Sequence, residues 1–152
     1  LVRLICHHAG INAINDGRLD VDLPDIDRGL DEIVEEAGNR LGPVARNRAA
    51  DLLATGNAPL LAAIARAAST PDGSFRLADI KAGLSDTTAD ASIAAELTRI
   101  EKLSGLLEQT ADVGGPAYRF VDDALPFFIW MSLARGHFTD GGKAGGGKLR
   151  AA

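Results

Sequence analysis

The stretch from Ser85 to Phe120 constrains the fold most, because it combines a strong helix signal with a hairpin signal. Thr87 and Asp90 stand three residues apart, which is the spacing of a capping pair at the start of a helix. Apolar residues then recur at helical spacing and predict a helix over Thr88–Leu103 with one buried stripe. The stripe consists of Ile93, Leu97, Ile100 and Leu103.

The residues that follow this helix predict a β-hairpin. Leu106 to Ala111 is an extended segment, and Gly114 to Pro116 interrupts it, because glycine allows positive φ and proline cannot continue a ladder. Apolar and polar side chains then alternate over Tyr118–Val121, as in a returning strand. A helix followed by a hairpin is the recognition end of a winged helix-turn-helix.

Weaker signals on either side extend this prediction to a winged-helix domain over residues 57–135. In chain order they indicate a helix, a short strand, a short helix, the long helix, the hairpin and a hydrophobic last helix. The additional ranges are Leu60–Ala68, Phe75–Leu77, Ala78–Gly83 and Ala124–Arg135. Residues 136–152 are rich in Gly and Lys and predict a flexible tail.

Residues 1–56 predict helices alone. One covers Leu1–Asn15, a second begins at Pro24, and a third covers Val44–Ala54. The predicted fold class is therefore mainly α: a helical lid-like segment followed by a winged helix-turn-helix with a small β-hairpin wing. Because the chain begins with Leu1 rather than Met, we expect it to be a piece of a longer protein or to lack a disordered start.

Charge and apolar content argue against several classes of protein. The formal net charge of −5 disfavours a nucleic-acid footprint spread over the whole surface. Most of the acidic excess lies in residues 1–75, which leaves room for a basic face in the second half. The longest apolar run, residues 124–133, is roughly half the length of about 20 residues that a membrane helix needs, so we expect no membrane partner. A single cysteine and the lack of a signal peptide predict a cytoplasmic protein.

The titratable clusters predict neither a metal centre nor a catalytic site. His7 and His8 are adjacent on a helix and point about 100° apart, so they do not share a metal. Four acidic residues crowd the start of the second helix without a His or Cys at ligand-like spacing, which favours a solvated helix start. They are Asp25, Asp27, Asp31 and Glu32. No Ser–His–Asp or Cys–His constellation is placed for nucleophilic catalysis, so the chain alone is not expected to be an enzyme.

Four segments carry a resemblance to a known family. They are LVRLICHHAG at the start, Leu23–Val34, the helix-turn-helix segment RLADIKAGLSDTTADASIAAELTRIEKLSGLLEQ, and AYRFVDDALPFFIW. Together they resemble the C-terminal region of bacterial and archaeal P-loop ATPases of the AAA+ and signal-transduction type, including relatives of the origin-recognition ATPases. In that family a helical lid follows the nucleotide-binding core, and a winged helix follows the lid.

The resemblance implies that the parent protein is an ATPase, that ATP and Mg²⁺ belong to that parent, and that the absent ATPase core is a partner of this chain. It also implies that an arginine of the lid contacts the nucleotide, and Arg3 is the candidate here. The chain itself lacks G-x-x-x-x-G-K-[ST], because Leu149 follows the stretch Gly141–Lys148 and no predicted strand precedes it. We therefore expect this chain to hold no cofactor and to hydrolyse no ATP on its own.

Two functions fit the predicted winged helix. In the first, outward side chains of the long helix and the wing bind double-stranded DNA. These candidate residues are Ser92, Thr98, Arg99, Lys102 and Arg119. In the second, the module binds no nucleic acid and contacts the ATPase core or another protein. The acidic balance and the aromatic last helix suit this second function equally well.

Overall fold

The computed structural model describes residues 2–85 and 87–143, with side chains described as far as Gly136. These residues form seven α-helices, one π-helical turn and three strands. The elements are α1 (Val2–Asn15), α2 (Leu23–Arg40), α3 (Pro43–Thr55), α4 (Ala58–Ala67), β1 (Ser74–Phe75), α5 (Leu77–Ala82), α6 (Asp90–Arg99), the π turn (Ile100–Ser104), β2 (Leu107–Asp112), β3 (Gly115–Phe120) and α7 (Leu125–Lys143). The prediction of a mainly helical chain is confirmed.

The three strands form one small antiparallel sheet in the order β1-β3-β2. Arg119 of β3 lies opposite Ser74 of β1 on one side and opposite Glu108 of β2 on the other. Pro116 lies inside the central strand, although proline has no N–H to donate. It is tolerated because β1 pairs with Tyr118 and Arg119 but does not extend as far as Pro116.

The main hydrophobic core draws on α2 to α7 and on the sheet. Ile93 and Leu97 of α6 are fully buried in it, and Phe75 and Phe120 close it from the sheet. Phe75 also stacks on Tyr118 with ring centroids 6.1 Å apart. Because Ala37, Leu41 and other residues before position 56 belong to the same cluster, the core continues across the predicted boundary between the lid-like segment and the second domain.

Helix α1 packs on α2 through small side chains. Ala9 and Ala13 are its buried alanines, and Gly29 of α2 lies against His8 and Ala9. A Cβ at Gly29 would lie 3.1 Å from the Cβ of His8, so the two helices approach closely. Ile5 packs against the cluster of Leu30, Ile33 and Met131, whereas Leu4, Ile11 and Ile14 are exposed.

The predicted long helix is wrong at both ends. Its N-cap is Ala89, which makes no side-chain capping bond, and the carboxylate of Asp90 accepts a hydrogen bond from Lys81 Nζ at 2.6 Å instead of acting in a capping pair with Thr87. At the other end, α6 gives way to the π turn after Arg99. The wider turn changes the helical phase, so Leu103 is 78% exposed although its spacing predicted a buried position.

Other boundaries shift by small amounts. β1 ends at Phe75, because Leu77 already begins α5. Of the predicted break at Gly114, Gly115 and Pro116, the last two residues belong to β3. α7 continues to Lys143 instead of ending at Arg135. The guanidinium of Arg135 donates to Asp27 and Asp31 and so ties α7 to α2 near the predicted end. Residues 144–152 of the predicted tail lie outside the described residues.

The acidic start of α2 is exposed at Asp27, Asp31 and Glu32, as the sequence predicted, but not at Asp25. Asp25 is fully buried and accepts hydrogen bonds from Arg18 Nη2 at 2.6 Å, from Arg28 Nη2 at 2.8 Å and from the backbone N–H of Asp22 at 2.9 Å. Asp22 caps the helix in return. The bond from Arg18 is the largest of the contributions that hold the pKa of the Asp25 carboxyl well below its usual range. Two arginines in the connection and in α2 therefore neutralise this carboxylate.

Candidate nucleic-acid interface

Helix α6 carries three of the predicted DNA-binding residues, Ser92, Thr98 and Arg99, and is anchored by its buried side. Ile93 and Leu97 are fully buried and Ile100 at the start of the π turn is as well, which fixes the rotation of the helix. Ser92 and Thr98 are exposed on the other side. Thr98 Oγ1 donates to the backbone oxygen of Ala94 at 2.9 Å, so its proton is already used inside the helix.

Lys102 lies in the π turn and is exposed. Its ammonium group makes no ion pair with any side chain in the part of the chain that the structure describes. Of the three cations predicted to bind DNA, Lys102 is therefore the one whose charge is available for a phosphate contact.

Arg99 does not point outward as predicted. Its guanidinium is half-buried and bonds in a bidentate manner to Glu96, from Nε to Oε2 at 3.0 Å and from Nη2 to Oε1 at 2.6 Å. Nη1 donates to Thr55 Oγ1 at the end of α3, at 3.3 Å. The hydrogen bond that Arg99 donates to Glu96 raises the pKa of Arg99, so the arginine stays charged and the carboxylate balances its charge. The hydrogen bond from Arg99 to Thr55 thus links α6 to the end of α3.

Arg119 occupies a different surface. It lies on β3, donates to Asp123 Oδ1 at 3.3 Å, and lines a cleft of about 560 Å³ between the residue 68–73 loop and the start of α7. None of the four candidates on α6 and the π turn lines this cleft. The structure therefore does not bring Arg119 into one site with Arg99 and Lys102.

Further ion pairs near α6 and the hairpin escaped the sequence analysis. Arg76 bonds to Asp112 at the end of β2, and Lys81 bonds to Asp90 at the start of α6. The first pair joins residues 36 positions apart, and no local pattern reveals it. Among the arginines and lysines between residues 57 and 135, only Arg66 and Lys102 form no ion pair with a described carboxylate.

Arg3, the candidate nucleotide contact, lies in the first turn of α1. It is exposed and pairs with no carboxylate of residues 2–85 or 87–136. His8 Nδ1 bonds to Glu32 Oε2 at 2.8 Å, while His7 is exposed and its ring lies edge-on to that of His8 with centroids 5.9 Å apart. Within the described residues no three His, Cys, Asp or Glu side chains are grouped to hold a metal ion. The stretch Gly141–Lys148 lies partly outside the description.

An apolar groove opens between α7 and the ends of α3 and α4. It has a volume of about 680 Å³, and its lining is mostly aliphatic and aromatic. The main side chains in it are Leu53, Pro59, Ala62, Trp130 and Leu133. Trp130 and Leu133 are half-buried, so part of each remains open to solvent. The run of aromatic residues at 127–130 is the sequence signal for this surface.

Comparison with known proteins found no matching family model, no matching curated protein and no matching solved structure. Among the helices of the described residues, none combines the length and the apolar content needed to cross a membrane.

Proposed function

We propose that this chain is a non-catalytic regulatory module that acts on a P-loop ATPase through protein contacts, with a winged helix-turn-helix over residues 57–135. The element order from α4 to β3 and the sheet order β1-β3-β2 support the fold assignment. The segments quoted above, from LVRLICHHAG to AYRFVDDALPFFIW, support the assignment to a P-loop ATPase.

One observation carries the choice of protein over DNA: two of the three cations predicted to bind DNA, and the neighbouring Lys81, are already paired with carboxylates, while Lys102 is not. Arg99 is held by Glu96, Arg119 by Asp123, and Lys81 by Asp90. DNA binding draws its affinity from cations that replace the counterions of the phosphates. A cation that must first leave a carboxylate gives up much of that gain, so this face favours other partners.

The apolar groove at Trp130 is the surface that fits a protein partner. Exposed contiguous apolar surface on a folded chain is typical of an interaction site, and aromatic residues are enriched at the centre of such sites. Ala58 is exposed at the rim of this groove, in the first turn of α4. An aspartate there meets the favourable end of the helix dipole, so it charges the groove without harming the helix.

Trp130 is the single tryptophan of the chain, so its fluorescence tests this proposal. We expect its emission to shift to shorter wavelength when the P-loop ATPase domain, expressed as a separate tryptophan-free chain, is titrated in, because contact removes the ring from water. Ala58→Asp should abolish the shift, and Ala50→Asp, an equally exposed change on α3 outside the groove, should leave it intact. An unchanged spectrum at saturating domain, or equal effects of the two substitutions, would overturn the proposal.

DNA binding remains a second candidate because Ser92 of α6 and Lys102 of the π turn are both exposed. A single free lysine supports about one phosphate contact and a shallow salt dependence. Stronger DNA binding by this face would require Arg99 to break its ion pair with Glu96.

A further inference from the structure

Strand β2 forms one edge of the small sheet, because the strand order β1-β3-β2 gives it β3 as a neighbour on one side and no strand on the other. Its residues from Glu108 to Asp112 are all exposed. Edge strands are commonly protected from further pairing by a bulge, a proline or a lysine. β2 pairs with β3 residue for residue, contains no proline or lysine, and carries acidic residues alone as its charges.

The hydrogen bonds between β2 and β3 determine which backbone groups of β2 are left over. Leu106 O accepts from Val121 N at 3.0 Å, and bonded pairs in an antiparallel ladder recur at every second residue. In the register of the hairpin, the residues of β2 that bond to β3 are therefore Glu108, Thr110 and Asp112. Gln109 and Ala111 direct their N–H and C=O groups to the opposite side, where no described residue bonds to them. We call this side of Gln109 and Ala111 the free edge.

Two carboxylates without an ion pair flank the free edge. A groove of about 500 Å³ lies beside it, and Glu101 of the π turn contributes to the lining of that groove. Glu101 is half-buried and makes no hydrogen bond or ion pair with a described residue. Glu108 is also without an ion pair in this part of the chain, because Arg119, which lies opposite it in the ladder, bonds to Asp123 instead. The surroundings of the free edge therefore favour a cationic neighbour.

We propose that an extended segment of a partner protein, rich in lysine or arginine, adds to the free edge as a fourth strand of the sheet. Its backbone bonds to Gln109 and Ala111, and its cationic side chains meet Glu101 and Glu108. A second copy of this chain fits less well, because it brings the same acidic strand against this one. The contact goes beyond the function proposed above, since it does not use the groove at Trp130.

The capped peptide Lys-Val-Lys-Val-Lys, added to the full chain, tests this proposal through amide hydrogen exchange measured by NMR. We expect the amide protons of Gln109 and Ala111 to exchange about tenfold more slowly when free peptide is at about ten times its dissociation constant, because the bound peptide accepts them. The amide protons of Glu108 and Thr110 already face β3, so their exchange should change little.

Two control peptides separate backbone pairing from charge. The fully N-methylated form of the lysine peptide keeps its charge but has no N–H to donate, and Glu-Val-Glu-Val-Glu reverses the charge. Neither should slow the exchange at Gln109 and Ala111. Equal slowing by the lysine and glutamate peptides would overturn the basic character of the partner.

A proline at the free edge tests the position of the added strand. Gln109→Pro removes a donor of the free edge but no bond to β3, so the urea unfolding midpoint should stay close to that of the unmodified chain. The slowing at Ala111 should be lost in this variant. Slowing at Ala111 that survives Gln109→Pro, or no slowing in the unmodified chain at saturating lysine peptide, would overturn the proposal.

The carboxylates have a separate test. Glu101→Gln/Glu108→Gln should weaken binding of the lysine peptide about fivefold, as expected for two exposed ion pairs. Asp20→Asn/Asp51→Asn removes the same charge at two exposed positions elsewhere and should leave the dissociation constant unchanged. Equal effects of the two double variants would overturn the roles of Glu101 and Glu108. Slowing at Gln109 that rises with protein concentration in the absence of peptide would identify a second copy as the occupant and overturn the proposal. None of these results bears on the Trp130 titration.

Discussion

At the scale of single residues, the charged side chains of this chain serve mainly to hold its elements together. Arg99 links α6 to the end of α3, and Asp25 gathers two arginines at the start of α2. A charge buried in a fold is stable when it is paired and hydrogen-bonded, and costly when its partner is removed. The residues that the sequence offers as binding groups are therefore in large part structural.

Asp25→Asn should destabilise the fold strongly at neutral pH, because it leaves Arg18 and Arg28 without their shared carboxylate. Since the pKa of Asp25 is lowered in the folded state, its stabilisation is present above the unfolded value of about 3.9 and is lost as the pH falls toward the folded value. Urea unfolding at pH 7 and pH 3 measures this. We expect a lower midpoint for the variant at pH 7 and a smaller difference between the two chains at pH 3.

The matched control is Asp20→Asn, which changes an exposed carboxylate that has no ionic partner in the described part of the chain. Its midpoint should stay close to that of the unmodified chain at both pH values. Equal midpoints for Asp25→Asn and Asp20→Asn at pH 7 would contradict the role assigned to the buried carboxylate.

At the scale of elements, the π turn determines which side chains are exposed after α6. It follows α6 directly, exposes Leu103 and Lys102, and ends at Gly105 with a φ of 63°. This left-handed conformation suits glycine and is unfavourable for residues with a Cβ. The turn leads into β2, and Leu106 N, just before that strand, donates to Ser104 Oγ at 3.2 Å.

Gly105→Ala should therefore lower the free energy of unfolding by about 1 kcal/mol. Gly105→Asn should cost less, because asparagine tolerates the left-handed region better than alanine does. Equilibrium urea unfolding of the three chains, at one dilute concentration, compares them. If alanine proved no worse than asparagine, the strain at this position would not control the turn.

Periodic patterns in the sequence predicted the elements well and their ends less well. The spacing of Ile93, Leu97 and Ile100 identified the buried side of α6, and Gly114 to Pro116 located the hairpin. Leu103 was misplaced because the periodic pattern assumes one helical phase, and a π turn leaves no trace in the spacing of apolar residues. Local patterns predict the structure that neighbouring residues form together, but they do not predict the element ends that tertiary contacts determine.

At the scale of the whole molecule, contacts between distant residues determine which charges remain available. Arg135 bonds to Asp27 and Asp31 across more than 100 positions, and Arg76 bonds to Asp112. No reading of local sequence predicts such pairs, so the sequence offered five DNA-binding candidates, of which two are arginines already held by carboxylates. The same packing leaves apolar surface at the groove and on α1, which supports the proposal that this chain acts through protein contacts.

The most direct test of that assignment is a fluorescence-anisotropy titration of a labelled DNA duplex with the purified chain, at low and at physiological salt. We expect no binding at physiological salt, and at low salt a weak signal whose logarithmic salt slope is about −1, as the single free Lys102 allows. Glu96→Gln should strengthen that signal, because it releases Arg99 from its carboxylate. Tight binding by the unmodified chain with a slope near −3, lost in Arg99→Ala and in Lys102→Ala, would contradict the account and make α6 and the wing a DNA-binding surface.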